Sequence, residues 1–404
     1  MNAAAVLPTP DNYRWPRGPE ITGAEVADRA LRVRWANGLD SRFHAIWLRD
    51  NCACPDCTHP VTREQKIDLL DIDENIAANS VAVDATGGLV VTWNGDGHQS
   101  LYDPGWLFAH AFASESRADE CQVWSAADFD EPPSFDGPAA MQDDDALYDF
   151  LKAVTRFGIA RLRGLPTLPD TVERFALRIG KIRETHFERI FNVLSRPDAD
   201  SNAYTHAELP AHTDIPTRET PPGLQLLHCL VAEAEGGESV MADGFRIAED
   251  LRQQDPQAFA NLTSVNWTYA NRAGDTDYRW AAPVIQLDDS GRVQEIRLAS
   301  FSRAPLLADF DVIGESYRAL RLFLRKTYES RYRMVYPFAA GDLVVFDNRR
   351  ILHARKAFDP TTGARHLQGT YLDRDELYCR LRMIEHARAA RELTAVGDSD
   401  ADCG

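Results

Sequence analysis

A chain of 404 residues with 44% hydrophobic content has room for two packed domains of an ordinary globular kind. Its 62 acidic residues outnumber 44 basic ones, for a formal charge of −18, and no Lys/Arg cluster offers a phosphate-tracking surface, so no nucleic-acid partner is expected. No apolar run is long enough to span a membrane and Met1–Pro10 lacks a basic-then-apolar leader pattern, so the expectation is a cytoplasmic protein with no membrane partner.

Residues 1–20 carry Pro8, Pro10, Pro16 and Pro19 and read as a loose arm. Leu31–Trp35 and Phe43–Leu48 alternate in strand fashion about Asn37-Gly38, a hairpin signal. Cys52, Cys54 and Cys57 follow at once. Thiols this dense in a chain with an odd total of seven read as metal usage, not a disulfide framework. With a fourth ligand they would close a tetrahedral structural zinc site, and His59 and His98 compete for that place. Three buried small hydrophobes are the alternative. Val81–Trp93 adds a hairpin through Gly87-Gly88, and Tyr102–Phe108 starts a short helix. Residues 1–115 are therefore read as a small N-terminal zinc-binding β domain, and the polar stretch 116–140, with Pro132-Pro133 and Gly137-Pro138, as a linker.

A second domain is placed at 141–390. The Asp143–Asp145 run suits a helix N-terminus, followed by Leu147, Phe150, Leu151, Val154 and Phe157 on one face. A strand over Gly158–Gly164 and a helix near 170–180 come next, then a loop region over 181–208. Leu209–Ile215 holds the central motif. On an extended segment His212 and Asp214 point to one face, and an imidazole beside a carboxylate suits a divalent transition metal. Taken alone, His-x-Asp is more often a surface pair. Leu224–Val231 reads as a strand, and Gly236-Gly237 opens another that begins near Ser239. Helices are expected over 244–262 and 312–330. Leu343–Phe346 and Ile351–Ala357 read as strands, and the latter carries His353, the best third ligand. Asp359–Gly363 reads as a turn and Arg365–Tyr371 as the returning strand of a hairpin. Arg365 would then lie opposite Ala357, roughly 13 Å along the strand from His353 on the same face. From there its planar fork could hold the far carboxylate of a five-carbon diacid whose other end sits on the metal. Residues 391–404 are left as a tail. The whole is expected to be mainly β with flanking helices, its catalytic domain a double-stranded β-helix (jelly roll).

His-x-Asp, a distant His and an Arg twelve residues on form a specific order, and the residues around them narrow it. Asp198–Tyr204, His212–Glu219, Pro222–Cys229 and Phe346–Arg355 resemble the gamma-butyrobetaine dioxygenases, a branch of the iron(II)- and 2-oxoglutarate-dependent taurine dioxygenase superfamily. The resemblance runs from about residue 30 to about 385 and so includes the zinc module. It implies iron(II) on His212, Asp214 and His353, with 2-oxoglutarate on that iron and on Arg365, and Arg355 next in line for that role. It implies zinc on Cys52, Cys54, Cys57 and, through Trp93–His98, on His98 in preference to His59. A Ser or Thr after the Gly pair helps bind 2-oxoglutarate in the superfamily, which makes Ser239 a candidate beside its plain reading as part of a β-turn. The trimethylammonium cage of the family falls on Phe187, Phe191, Ile215 and Tyr371; simple core packing is the other reading of the two phenylalanines. Ser201, Asn202 and Tyr204 match the segment that orients the substrate carboxylate, and Ser300 stands where bacterial relatives carry Asn. The implied activity is hydroxylation of gamma-butyrobetaine to L-carnitine by dioxygen, with succinate and carbon dioxide as co-products, stimulation by ascorbate, and a homodimer. The same chemistry on trimethyllysine or a trimethylammonium phosphonate is the alternative. A 2-oxoglutarate- or betaine-binding protein without catalysis is the reading from another class.

Overall fold

The computed structural model describes residues 7–16, 18–95, 97–111, 121–194, 205–271 and 276–399. The chain folds as two units, Met1–Asp119 with Met383–Gly404, and Glu120–Arg382. No helix among the described residues is long and apolar enough to cross a membrane.

In the first unit, Ile21–Ala27, Ala30–Trp35 and Asp40–His44 form an antiparallel sheet in that order. Gly38, at φ +85°, makes the turn that the Asn37-Gly38 signal predicts, because a residue with a Cβ resists that region. A second sheet orders Ala78–Val83, Leu89–Trp93 and Gln99–Tyr102. Leu31, Val33, Trp35, Phe43, Leu89, Val91, Trp93 and Trp106 share one core. Alternation along the strands is what puts them there: Leu31, Val33 and Trp35 are buried while Arg32 and Arg34 between them are exposed. The helix Pro104–Ala109 starts on Asp103, whose side chain accepts from the amide of Trp106.

Two sheets make the frame of the second unit. One is six-stranded, in the order Ser134–Asp136, Ile159–Arg163, Leu343–Asp347, Leu224–Ala232, Arg365–Leu372, Phe191–Val193. The other is four-stranded: Leu209–His212, Ile351–Arg355, Ser239–Asp243, Met334–Tyr336. Met241, Met334 and Tyr336 of the smaller sheet pack with Cys229, Val344, Phe346 and Leu367 of the larger one. The helices Asp144–Phe157 and Thr171–Ile179 pack on the larger sheet, where Phe150 and Phe175 meet edge to face. Asp143 caps the first of them, as the acidic run predicts. The helix expected over 244–262 is two helices, Gly244–Gln254 and Pro256–Ser264, because Pro256 cannot continue the first and starts the second, capped by Asp255. The stretch 121–140 contains buried Trp124, whose indole donates to the carbonyl of Phe157, and the parallel edge strand Ser134–Asp136. The last helix runs Arg374–Ser399.

The hairpin expected at the end of the domain does not form. Ile351–Arg355 and Arg365–Leu372 are not a hairpin. The first pairs with Leu209–His212 and Ser239–Asp243, the second with Leu224–Ala232 and Phe191–Val193, so the chain changes sheets between them. Midway, Phe358–Asp359 pairs with Glu235–Gly236, and Arg365 lies opposite Ala232, not Ala357.

Candidate active site

The small sheet sets two imidazoles side by side. His212 and His353 are register partners on neighbouring strands, with ring centroids 4.0 Å apart. Asp214 follows two residues after His212, and its Oδ1 lies 3.2 Å from Nε2 of His212 and 3.6 Å from Nε2 of His353. Three ligands at about 2.1 Å on adjacent octahedral positions stand about 3 Å apart, so this spacing fits one transition-metal ion. The tautomer fits too. Nδ1 of His212 is 2.9 Å from the Pro210 carbonyl and donates to it, which leaves the lone pair of Nε2 facing Oδ1. Burial, reinforced by His212, pushes His353 down to about 3, so this imidazole is neutral across the physiological range. Burial alone would raise the Asp214 carboxyl. His353 and His212 when protonated, and the Tyr371 hydroxyl, outweigh it and hold the group well below the carboxylate range.

The segment after Asp214 is held under strain. Ile215 adopts φ +52°, unusual for a β-branched residue. Arg297 fixes the chain just beyond it by donating to the carbonyls of Arg218 at 2.8 Å and Glu219 at 3.0 Å, and is itself paired with buried Glu295 at 2.7 Å. The backbone of Asp214 is clamped from the other side by buried Asn348. Its Oδ1 accepts from the Asp214 amide at 2.7 Å and its Nδ2 donates to the Asp214 carbonyl at 3.0 Å. Neither Arg297 nor Asn348 was singled out from sequence; Asn348 lies inside the Phe346–Arg355 motif, and nothing local marks Arg297.

Beside the metal-capable trio is an apolar cluster. Phe191, Ile215 and Tyr371 form one cluster with Phe187 packed against it. Phe191 stacks on Tyr371 at 5.0 Å and lies over Gly369, where a Cβ would meet the ring at 2.4 Å. Tyr371 donates its hydroxyl to Oδ2 of Asp214 at 2.7 Å, which joins the cluster to the trio. Ser300 opens a 3-10 turn, and its neighbour Phe301 sets its ring edge-on against His212 at 5.1 Å. Ser201, Asn202 and Tyr204 lie outside the described residues.

Arg355 is buried two residues beyond His353 and opposite Ser239. Its Nη2 donates to the carbonyls of Thr205 at 2.6 Å and Ala207 at 2.7 Å. Burial and the nearby charge of Arg365 push it down to about 10. Arg365 reaches the Gly237 carbonyl only at 3.5 Å, and burial lowers it as well. The two guanidinium groups sit over the ring of Phe358, at 5.0 and 5.7 Å. A buried guanidinium beside a half-buried one makes a cationic pair suited to a carboxylate.

In the first unit, Nε2 of His98 lies 3.3, 3.7 and 3.5 Å from the sulfurs of Cys52, Cys54 and Cys57. The edges of a tetrahedral zinc site with three thiolates and one imidazole come to about 3.6 Å. Burial, with Cys52 adjacent, pushes the Cys57 thiol up to about 12, and Arg49 donates to its sulfur. His59 is exposed, its Nδ1 accepting from the amides of Val61 and Thr62.

Residues 121–371 match the model of the "Taurine catabolism dioxygenase TauD, TfdA family", and residues 23–108 match "Gamma-butyrobetaine hydroxylase-like, N-terminal". The chain is 48% identical to the gamma-butyrobetaine dioxygenase of Pseudomonas sp. (strain AK-1), over 88% of this chain and 94% of the relative. It is 32% identical to the human gamma-butyrobetaine dioxygenase, over 90% and 97%. Against the mitochondrial trimethyllysine dioxygenase of Gallus gallus the identity is 30%, over 88% and 86%.

Proposed function

The chain belongs to the TauD, TfdA family of dioxygenases, and from that premise we propose that it hydroxylates gamma-butyrobetaine to L-carnitine. Like the family it is an iron(II)- and 2-oxoglutarate-dependent oxygenase, and its three-cysteine, one-histidine cluster fits zinc. The two sheets of the second unit are read as a double-stranded β-helix. His212, Asp214 and His353 are assigned to iron, Arg365 and Ser239 to 2-oxoglutarate, and Cys52, Cys54, Cys57 and His98 to zinc.

When bound, iron and 2-oxoglutarate supply the oxidising power: dioxygen is split between succinate and the hydroxylated product, with release of carbon dioxide. The residues of the chain need supply no acid or base for this. His212 presents Nε2 because Pro210 takes its other N–H. Asn348 and Arg297 hold the backbone on which Asp214 rides. Arg365 orients the far carboxylate of 2-oxoglutarate through a planar fork. Phe187, Phe191, Ile215 and Tyr371 hold the trimethylammonium group and so decide which C–H is closest to the metal.

The observation that carries this reading is the hydrogen bond from Tyr371 to Asp214, which puts an aromatic wall directly against the metal-capable trio. Faces of Phe and Tyr rings attract a quaternary ammonium by roughly 0.5–2 kcal/mol each. Purified protein with iron(II), ascorbate and 2-oxoglutarate is therefore expected to turn over gamma-butyrobetaine well and its tert-butyl isostere poorly, with succinate and hydroxylated product followed together. Equal turnover of cation and isostere would remove the cage. A tenfold preference for trimethyllysine or the phosphonate analogue would keep the chemistry and change the substrate.

A further inference from the structure

The two oxygens of the Asp214 carboxylate face different things. Oδ1 faces both imidazoles, at 3.2 and 3.6 Å, while Oδ2 accepts the hydroxyl of Tyr371 at 2.7 Å. That is the length of a charge-assisted O–H···O⁻ bond, in which the phenol hydroxyl donates and the carboxylate accepts. Neither partner can readily leave the arrangement. Tyr371 is 3% exposed, stacked on Phe191, and its carbonyl accepts from the Arg183 amide at 2.8 Å. Asn348 pins the Asp214 backbone on both its amide and its carbonyl. The freedom left to Asp214 is rotation about its own side-chain bonds, and the Tyr371 hydroxyl removes it.

A carboxylate can bind a divalent ion through one oxygen or through both. The difference matters here, because three single-point ligands leave three of six octahedral positions, two for a chelating 2-oxoglutarate and one for dioxygen. A two-point Asp214 would leave only two. We propose that Tyr371 is a positioning residue that keeps Asp214 to one metal bond by occupying its second oxygen, and so preserves the position that the co-substrates need. This rests on the reading of His212, Asp214 and His353 as the iron ligands. It gives the hydroxyl a task separate from that of the ring, which stacks on Phe191 in the cluster assigned to the substrate.

Tyr371→Phe separates the two, since it keeps the ring and deletes the hydroxyl. The full-length wild type, Tyr371→Phe and His353→Ala are titrated without oxygen, first with iron(II) and then with 2-oxoglutarate. The readouts are both dissociation constants and the visible absorption band of chelated 2-oxoglutarate; circular dichroism checks the fold. Tyr371→Phe is expected to bind iron(II) at least as tightly as the wild type, because the freed oxygen can add a bond. It should bind 2-oxoglutarate about tenfold more weakly, the factor expected for one hydrogen bond to a charged acceptor. Both constants within twofold of the wild type would overturn the proposal. So would a tenfold loss of iron affinity, which would mean that the hydroxyl merely holds the ligand in place. His353→Ala tests the underlying reading separately. If it forms the band with wild-type affinity, the iron assignment fails and this inference with it.

Discussion

Arg355 and Arg365 both lie over the ring of Phe358, yet their hydrogen bonding differs. Arg355 is committed to the carbonyls of Thr205 and Ala207, whereas Arg365 touches Gly237 only at the limit of hydrogen-bond length. A buried guanidinium beside a half-buried one is costly, and a carboxylate placed between them relieves the cost. Among the described residues Arg365 has more of its fork free. Losing one partner of a buried charged pair costs about 2–5 kcal/mol. Arg365→Ala is therefore expected to raise the apparent KM for 2-oxoglutarate at least about thirtyfold while changing that for the betaine much less. Arg365→Lys should not restore it, since an ammonium cannot copy the planar fork. Steady-state kinetics with each substrate varied in turn checks this. A large effect in Arg355→Ala, with Arg365→Ala near the wild type, would transfer the role to Arg355.

At the level of elements, the strands that carry the site were visible in the sequence and their partners were not. Leu343–Asp347 and Ile351–Arg355 announce themselves as apolar runs. The spacing of His212 and Asp214 points to a shared face, and the two do meet, although the strand ends at His212 and Asp214 stands beyond it. The pairing of Arg365–Leu372 was misread because a turn cluster at Asp359–Gly363 looks local. Periodicity says which residues share a face, and nothing in it says which sheet a strand will join. Trp124 was hidden in the same way, one large apolar side chain in a polar stretch whose burial depends on distant Phe157 and Asp243. Gly236 and Gly237, at φ +83° and +71°, were legible as a turn, but their role of admitting Phe358 and Arg365 close to the backbone was not. The cysteine knot was legible because three thiols so close have few other uses. Its fourth member was a choice between two histidines, and the geometry favours the one on the far side of a hairpin. Cys54→Ser and His98→Ala are expected to lose most of the bound zinc and to melt at lower temperature, because binding free energy in a structural site is folding free energy. His59→Ala should keep the metal, since that ring is exposed and serves only a turn. Metal analysis together with thermal melts decides. Zinc lost from His59→Ala and kept in His98→Ala would reverse the assignment.

For the whole molecule, acid sensitivity sets a test that neither metal site dictates. A chain with a formal charge of −18 loses self-repulsion as pH falls toward its isoelectric point near 5, which by itself would favour the folded state. His228 works the other way. It sits in the central strand Leu224–Ala232, opposite Leu343 on one side and Gln368 on the other, fully buried, with neither ring nitrogen hydrogen-bonded among the described residues. Burial pushes it down to about 4, from an ordinary value near 6.5. The sign is set by where the proton goes. Above about pH 6.5 the ring is neutral folded or unfolded and costs nothing extra. Between about 6.5 and 4 the unfolded chain takes up a proton that the folded chain refuses, so stability falls with pH by at most roughly 1.4 kcal/mol per unit for this one group. Below about 4 both forms are protonated and the loss is complete. His228→Leu keeps an apolar side chain in the strand and cannot titrate. Urea midpoints measured from pH 7.5 to 4.5 should therefore fall less steeply in His228→Leu than in the wild type, with the two curves converging or crossing at the acid end. Parallel curves over that range would mean that His228 is protonated inside the fold with a partner of its own, and the source of acid sensitivity would have to be sought among the carboxylates.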